Sequence, residues 1–169
     1  IEINDPGKAK QTTTTQRFRF SLITPAGLRL PTKVEFSRRT QDMNSAAVME
    51  LIDPGIARQY RKLAYRCCHY SGDVAVVQKI KALSGRPVTQ ARDVFDLGIL
   101  FSGGYAPSTP LDQLIPKPSV VQAIDCLMEL TWEDYQGQVV EFLYGEHRME
   151  YGTHSAWTNI QELVLDKLT

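Results

Sequence analysis

The chain has 169 residues, nineteen basic and nineteen acidic side chains, no formal net charge and 43% hydrophobic residues. That suffices for one domain with a real core, or one and a half small ones, and the charge balance excludes a protein wrapped wholesale in nucleic acid while leaving room for a local basic patch. No apolar run is long enough to cross a bilayer and no signal-peptide pattern opens the sequence, so no membrane partner is expected.

The three cysteines, Cys67, Cys68 and Cys126, are an odd number without a framework spacing. They read as reduced thiols of a cytoplasmic protein. In an alternating stretch Cys67, Cys68 and His69 point to opposite faces and do not easily converge on a metal, which leaves core packing as their expected use.

Residues 1–16 (IEINDPGKAKQTTTTQ) are polar, with a turn signal at Asp5-Pro6-Gly7, and read as a surface loop leading into a strand. The sequence opens on Ile1 without an initiator methionine, and a fragment of something longer is expected. From Arg17 to Ile23 the alternation predicts a half-buried strand. Thr24-Pro25-Ala26-Gly27 supplies a turn and Leu28 to Arg39 returns, making a hairpin with Pro31 at an edge or bulge. Val34 and Phe36 then face one side, and Lys33, Glu35 and Ser37 the other. The plainer use of that polar face is a solvated Lys-Glu pair. If it meets the region from Lys79 to Asp96, Glu35 becomes a third carboxylate for a cation.

Residues 45–52 (SAAVMELI) predict a further strand, and Asp53-Pro54 a helix start running through Ile56, Tyr60 and Leu63. Its polar face carries Arg58, Arg61 and Lys62, with Arg66 following, the densest basic cluster in the chain. Most such clusters are solvated helix faces. The functional alternative is a surface for a polyanion such as RNA, bound through its phosphates.

The stretch from Gln78 to Leu97 (QKIKALSGRPVTQARDVFDL) reads as the end of one helix, a break at Gly85 to Pro87, and the start of another. Apolar residues spread over most of the second helix, and Arg92, Asp93 and Asp96 share the remaining arc. A helix apolar nearly all round is buried, so this one is expected to carry two carboxylates and a guanidinium into an enclosed place, where they must be paired. The plainer account is a core ion pair in which Arg92 holds one aspartate. Lys79 tilts the balance, because it sits at the edge of the preceding helix's apolar arc between alanines, whereas Lys81 points to the surface. A point-like ammonium beside carboxylates suits a phosphate or phosphate–metal site.

Ser102-Gly103-Gly104 and the stretch to Pro118 form a long connection. Helical spacing returns over 119–130, 132–143 and 155–168, and the segment 144–152 between them carries His147, Arg148 and Tyr151, read either as site residues or as an ordinary surface loop. The expected architecture is α+β: a strand hairpin or small sheet over residues 1–52, then a mainly helical body over 53–169.

Three segments, TKVEFSRR (32–39), HYSGDVAVVQKIKAL (69–83) and QARDVFDL (90–97), together resemble the AbiEii/AbiGii nucleotidyltransferase toxin family. The family's K-x-E motif falls on Lys33 and Glu35, its helix lysine on Lys79 and its R-D-x-x-D motif on Arg92, Asp93 and Asp96. The resemblance implies part of a polymerase-beta-like fold and transfer of a nucleotide from a nucleoside triphosphate, with magnesium, to an acceptor such as tRNA, in a toxin held in check by a cognate antitoxin. It implies catalytic roles for Glu35, Lys79 and Asp93: Glu35 as a metal ligand, Lys79 as the phosphate clamp, Asp93 as a catalytic or orienting acid. Lys33, Arg92 and Asp96 would support substrate binding. The family's opening Gly-Ser and Asp-x-Asp element has no counterpart, since no Asp-x-Asp occurs in the sequence. The resemblance therefore implies a C-terminal portion, inactive without the N-terminal half of the same protein. A rival class is a non-catalytic interaction module whose charge arc is structural and whose helical tail binds a partner, or which binds RNA through Arg58, Arg61, Lys62 and Arg66.

Overall fold

The computed structural model describes residues 2–4, 10–13, 15–37, 47–59 and 61–169. It divides into two compact units, Ile1–Ser45 and Ala46–Thr169.

The first unit is an antiparallel sheet built around one strand. The alternating residues Thr15–Ile23 (β3) pair along their whole length with Arg29–Ser37 (β4). The opposite edge of β3 is shared by two short strands, Glu2–Asn4 (β1) and Lys10–Gln11 (β2). The segment expected to be a loop thus contributes two strands, because the long β3 offers a second ladder edge that its polar residues can still satisfy with backbone groups alone. Thr24 to Leu28 closes the hairpin. Gly27 stands at φ +76°, where a side chain would be strained, and its N–H donates to the Thr24 carbonyl at 2.9 Å. Register puts Phe18, Phe20, Leu22, Leu30, Val34 and Phe36 on one face, with Phe18 and Phe36 edge to face at 6.0 Å. Arg38 and Arg39, expected to continue β4, lie outside the described residues.

In the second unit Ala47–Leu51 (β5) pairs with Arg66–Tyr70 (β6) across a short helix, Pro54–Gln59 (α1). The strand expected to close the first domain therefore belongs to the second. Asp53 Oδ1 accepts from the N–H groups of Gly55 at 2.6 Å and Ile56 at 3.1 Å, the predicted cap. The helix is shorter than expected. Arg61 adopts φ 54°, and the N–H groups of Arg61 and Lys62 donate to the carbonyls of Arg58 and Ala57, each at 2.9 Å, which ends α1 before the exposed Leu63. Tyr60 lies outside the described residues.

The helical body follows as Gly72–Gly85 (α2), Ala91–Ser102 (α3), Leu111–Leu114 (α4), Lys117–Glu129 (α5), Trp132–Gln138 (α6), a 3-10 turn at Val140–Phe142, Gly145–Tyr151 (α7) and His154–Leu168 (α8). Helix α7 replaces the expected loop. Tyr151 on it packs edge to face against Phe95 at 5.4 Å, which gives a short polar segment a reason to be ordered. The core is drawn from α2 (Val76, Ile80, Leu83), α3 (Val94, Leu97, Phe101), α5 (Ala123, Leu127) and α8 (Trp157, Ile160, Val164). Where α3 crosses α8 the backbone approaches closely, since a Cβ on Gly98 would lie 2.8 Å from Ile160 Cγ2. All three cysteines are free thiols. Only Cys126 is in the core; Cys67 and Cys68, on opposite faces of β6, are half-buried and exposed.

Candidate functional site

The site begins with the break between α2 and α3. Residues before proline are pushed out of the helical region, and Arg86, preceding Pro87, has φ −80° and ψ 142°. Helix α2 therefore stops without a left-handed glycine. Gly85 is still inside it, and Arg86 donates its N–H to the Ala82 carbonyl at 3.2 Å. Helix α3 then starts on Gln90, with the Ala91 N–H donating to the side-chain oxygen of Gln138 at 2.8 Å. Asp93 lies in the first turn of α3, where the helix dipole favours a negative charge.

Asp93 is the one buried charged residue among those described, with no exposed surface. Three donors meet it. Arg86 Nε approaches Oδ2 at 2.6 Å, while Arg86 Nη2 and Lys79 Nζ approach Oδ1 at 3.3 Å and 3.2 Å. Lys79 also pairs with Asp96 Oδ2, so its ammonium bridges the two aspartates. The side chains of Lys79, Arg86 and Asp96 are 32%, 39% and 41% exposed. The carboxylate at the bottom is sealed, and its partners form a charged rim open to solvent.

The structure thus brings together Lys79, Asp93 and Asp96 as the sequence spacing predicts, and it places Lys79 half-buried and Lys81 exposed. It corrects the expectation for Arg92. That residue is exposed, one helical step of about 100° from Asp93, and so looks away from the core. The guanidinium on Asp93 comes from Arg86 instead. A signal was present: a buried carboxylate needs more than one donor, and an arginine held extended by a following proline stands seven residues before it. Nor is α3 apolar all round, since Arg92 and Ile99 form a solvent edge with the half-exposed Asp96.

Lys33 and Glu35 lie on β4 in the first unit. Glu35 Oε1 is 2.7 Å from Arg17 Nε and 3.5 Å from Lys33 Nζ. Arg17, and after it Lys33, hold the Glu35 carboxyl below its ordinary range. In the second unit Arg58, Arg61, Lys62 and Arg66 are all exposed, and Arg66 Nη2 donates to the Met49 carbonyl at 3.4 Å. His147 and Arg148 are exposed on α7.

This donor set does not fit a divalent cation. Both Asp93 oxygens accept from cationic groups, and no three His, Cys, Asp or Glu side chains converge among the described residues. The arrangement is a fixed, buried anion holding an ammonium at the surface of a helical body. No helix among the described residues is long and apolar enough to cross a membrane. Comparisons with protein-family models, with curated proteins and with solved structures find no match for this chain.

Proposed function

We propose that this chain contributes the C-terminal part of a nucleotidyltransferase of the AbiEii/AbiGii toxin type, moving a nucleotide from a nucleoside triphosphate to an acceptor of the tRNA class, with a cognate antitoxin as its neutralising partner. One observation supports the reading most: Lys79 Nζ lies 3.2 Å from Asp93 and pairs with Asp96, so the helix lysine and the R-D-x-x-D segment that carry the resemblance meet in space. In this reading Asp93, sealed and fixed by Arg86, orients the ammonium, and Lys79 neutralises charge developing on the transferred phosphate. Asp96 holds the ammonium until phosphate displaces it. Magnesium belongs to the reading by resemblance alone; in the family an Asp-x-Asp element supplies its first carboxylates, and this sequence has none.

The test is incorporation of label from α-labelled nucleoside triphosphates into RNA by the product of the complete reading frame. Lys79→Gln is expected to lower incorporation by about 100-fold or more while the unfolding midpoint moves little, because Asp93 keeps both Arg86 contacts. Incorporation by Lys79→Gln at the wild-type rate would sink the proposal.

A second reading, a non-catalytic module that binds RNA through Arg58, Arg61, Lys62 and Arg66, has its own support. Among the described residues none of the four makes an ion pair, and Arg61 occupies a left-handed position at φ 54° where glycine is the favoured residue. Arg61→Gly then weakens RNA binding while raising stability.

A further inference from the structure

The first unit has a second, unassigned concentration of charge. On β3 and β4 the register fixes one face as Arg17, Arg19, Ser21 and Ile23 against Glu35, Lys33, Pro31 and Arg29. Arg19 stands directly opposite Lys33, two like charges in a cross-strand pair, an arrangement that destabilises a hairpin. Arg19 is exposed and makes no ion pair among the described residues, and the Lys33 side chain is 65% exposed. Glu35 is occupied by Arg17 on one side and Lys33 on the other, so it does not neutralise Arg19. Arg29, on the same face, already has a partner. Nothing in the folding of the hairpin requires this juxtaposition, because a threonine at position 19 would serve the strand better.

We infer that this face of the β3–β4 sheet binds the phosphate backbone of RNA, with Arg17, Arg19 and Lys33 as the contacting residues. The inference holds whether or not the chain takes part in nucleotide transfer. Side chains two apart on a strand project to the same face at roughly 6.7 Å spacing, and directly opposed residues lie about 4.5–5.5 Å apart. Three cations are therefore laid out around one carboxylate, a surplus of two positive charges in a flat array that an extended polyanion can follow. The aromatic side chains Phe18, Phe20 and Phe36 are on the opposite face, so bases have no stacking platform here. Recognition is by charge, without sequence preference. The scarcity of apolar groups on this face, Ile23 and Pro31 alone, argues against insertion into a lipid surface.

The test is fluorescence anisotropy of a labelled oligouridylate on the full chain, with Arg19→Thr and Arg19→Glu as variants. With two to three phosphates engaged, wild-type affinity is expected to fall roughly 7- to 20-fold between about 50 and 200 mM salt. Arg19→Thr is expected to weaken low-salt binding several-fold and reduce the log–log salt slope by about 0.7. Amide hydrogen exchange along β3 and β4, which reports local opening of the sheet, should hold steady or slow as the like-charge pair is relieved. Arg19→Glu, which gives Lys33 an opposite charge to face, should weaken binding further and slow that exchange again. This opposition of signs separates a binding role from a structural one. Wild-type affinity and slope in both variants would overturn the inference. So would affinity lost only in step with stability, or binding confined to vesicles containing phosphatidylserine. Loss of RNA binding on removing Arg58, Arg61, Lys62 and Arg66, with Arg19 variants unaffected, would move the RNA surface to the second unit.

Discussion

Asp93 sets the energetics of its surroundings because it is a full charge without solvent. Its stability rests on charge-assisted bonds from Arg86 and Lys79, each of which is partly exposed on its outer side. Removing the carboxylate and removing one donor are therefore unequal changes. Asp93→Asn keeps the shape but loses the charge, and urea unfolding is expected to show a loss of about 2–3 kcal/mol, below the usual figure for a broken buried pair because the two cations can rehydrate. Lys79→Ala alone leaves both Arg86 contacts and should cost about 1 kcal/mol. Equal losses for the two variants would mean that the lysine, and not the arginine, neutralises the buried charge. Tyr135 is the other telling residue. It is fully buried, stacked on Trp157 at 4.5 Å, and donates its hydroxyl to the Tyr151 carbonyl at 3.0 Å. Burial, and secondarily Tyr151, push its phenol up to about 12. The folded state thus resists ionisation that the unfolded chain undergoes near pH 10. The corresponding stability is fully present below pH 10 and is lost as pH rises towards 12. Tyr135→Phe should lose about 1 kcal/mol at neutral pH and show a flatter decline in stability over that alkaline window.

Helices α2 and α3 are where sequence and structure agree most fully, and the reason is periodicity. Val76, Ile80 and Leu83 recur at helical spacing, so the faces of α2 and the half-buried position of Lys79 follow from the pattern. The Arg92 placement fails because a helical wheel gives angular order but not the width of the solvent edge, which is decided by what packs on α3. Arg86 escaped because its role comes from the backbone: Pro87 holds it extended, and the extension ends α2 beside Asp93. Strands β1 and β2 were illegible for a similar reason, since backbone pairing with β3 and not side-chain pattern recruits them. Two substitutions probe this scale. Pro87→Ala frees Arg86 to continue the helix, and is expected to cost about 1 kcal/mol through a weakened grip on Asp93. Gly98→Ala forces a methyl into Ile160 at the α3–α8 crossing and should cost about 1–3 kcal/mol. The added methyl should cost less in an Ile160→Ala background, which lacks the clashing Cγ2, measured as a double-mutant cycle.

At the scale of the whole chain, the two units differ in how much apolar surface each one hides. Among the described residues, all twenty buried hydrophobic ones, including Trp157, Leu127 and Val164, lie in the second unit. The described strands of the first unit form one sheet whose apolar face stays partly open, with Phe36 at 54% and Leu30 at 43% exposure. A single small sheet with a half-wet face does not offset the conformational entropy of its own chain. The second unit produced alone is therefore expected to unfold cooperatively, and the first alone to show no transition. Both tryptophans, Trp132 and Trp157, lie in the second unit, so their fluorescence reports on that unit even in the full chain. Urea unfolding followed by tryptophan emission should give residues 46–169 the same midpoint as the full chain, and Asp93→Asn should shift both by the same amount. A lower midpoint in the excised unit would mean that the sheet contributes to the stability of the helical body. An equal midpoint makes the Lys79–Asp93–Asp96 network a property of the helical body alone, and assigns any effect of the first unit on activity to what its sheet binds.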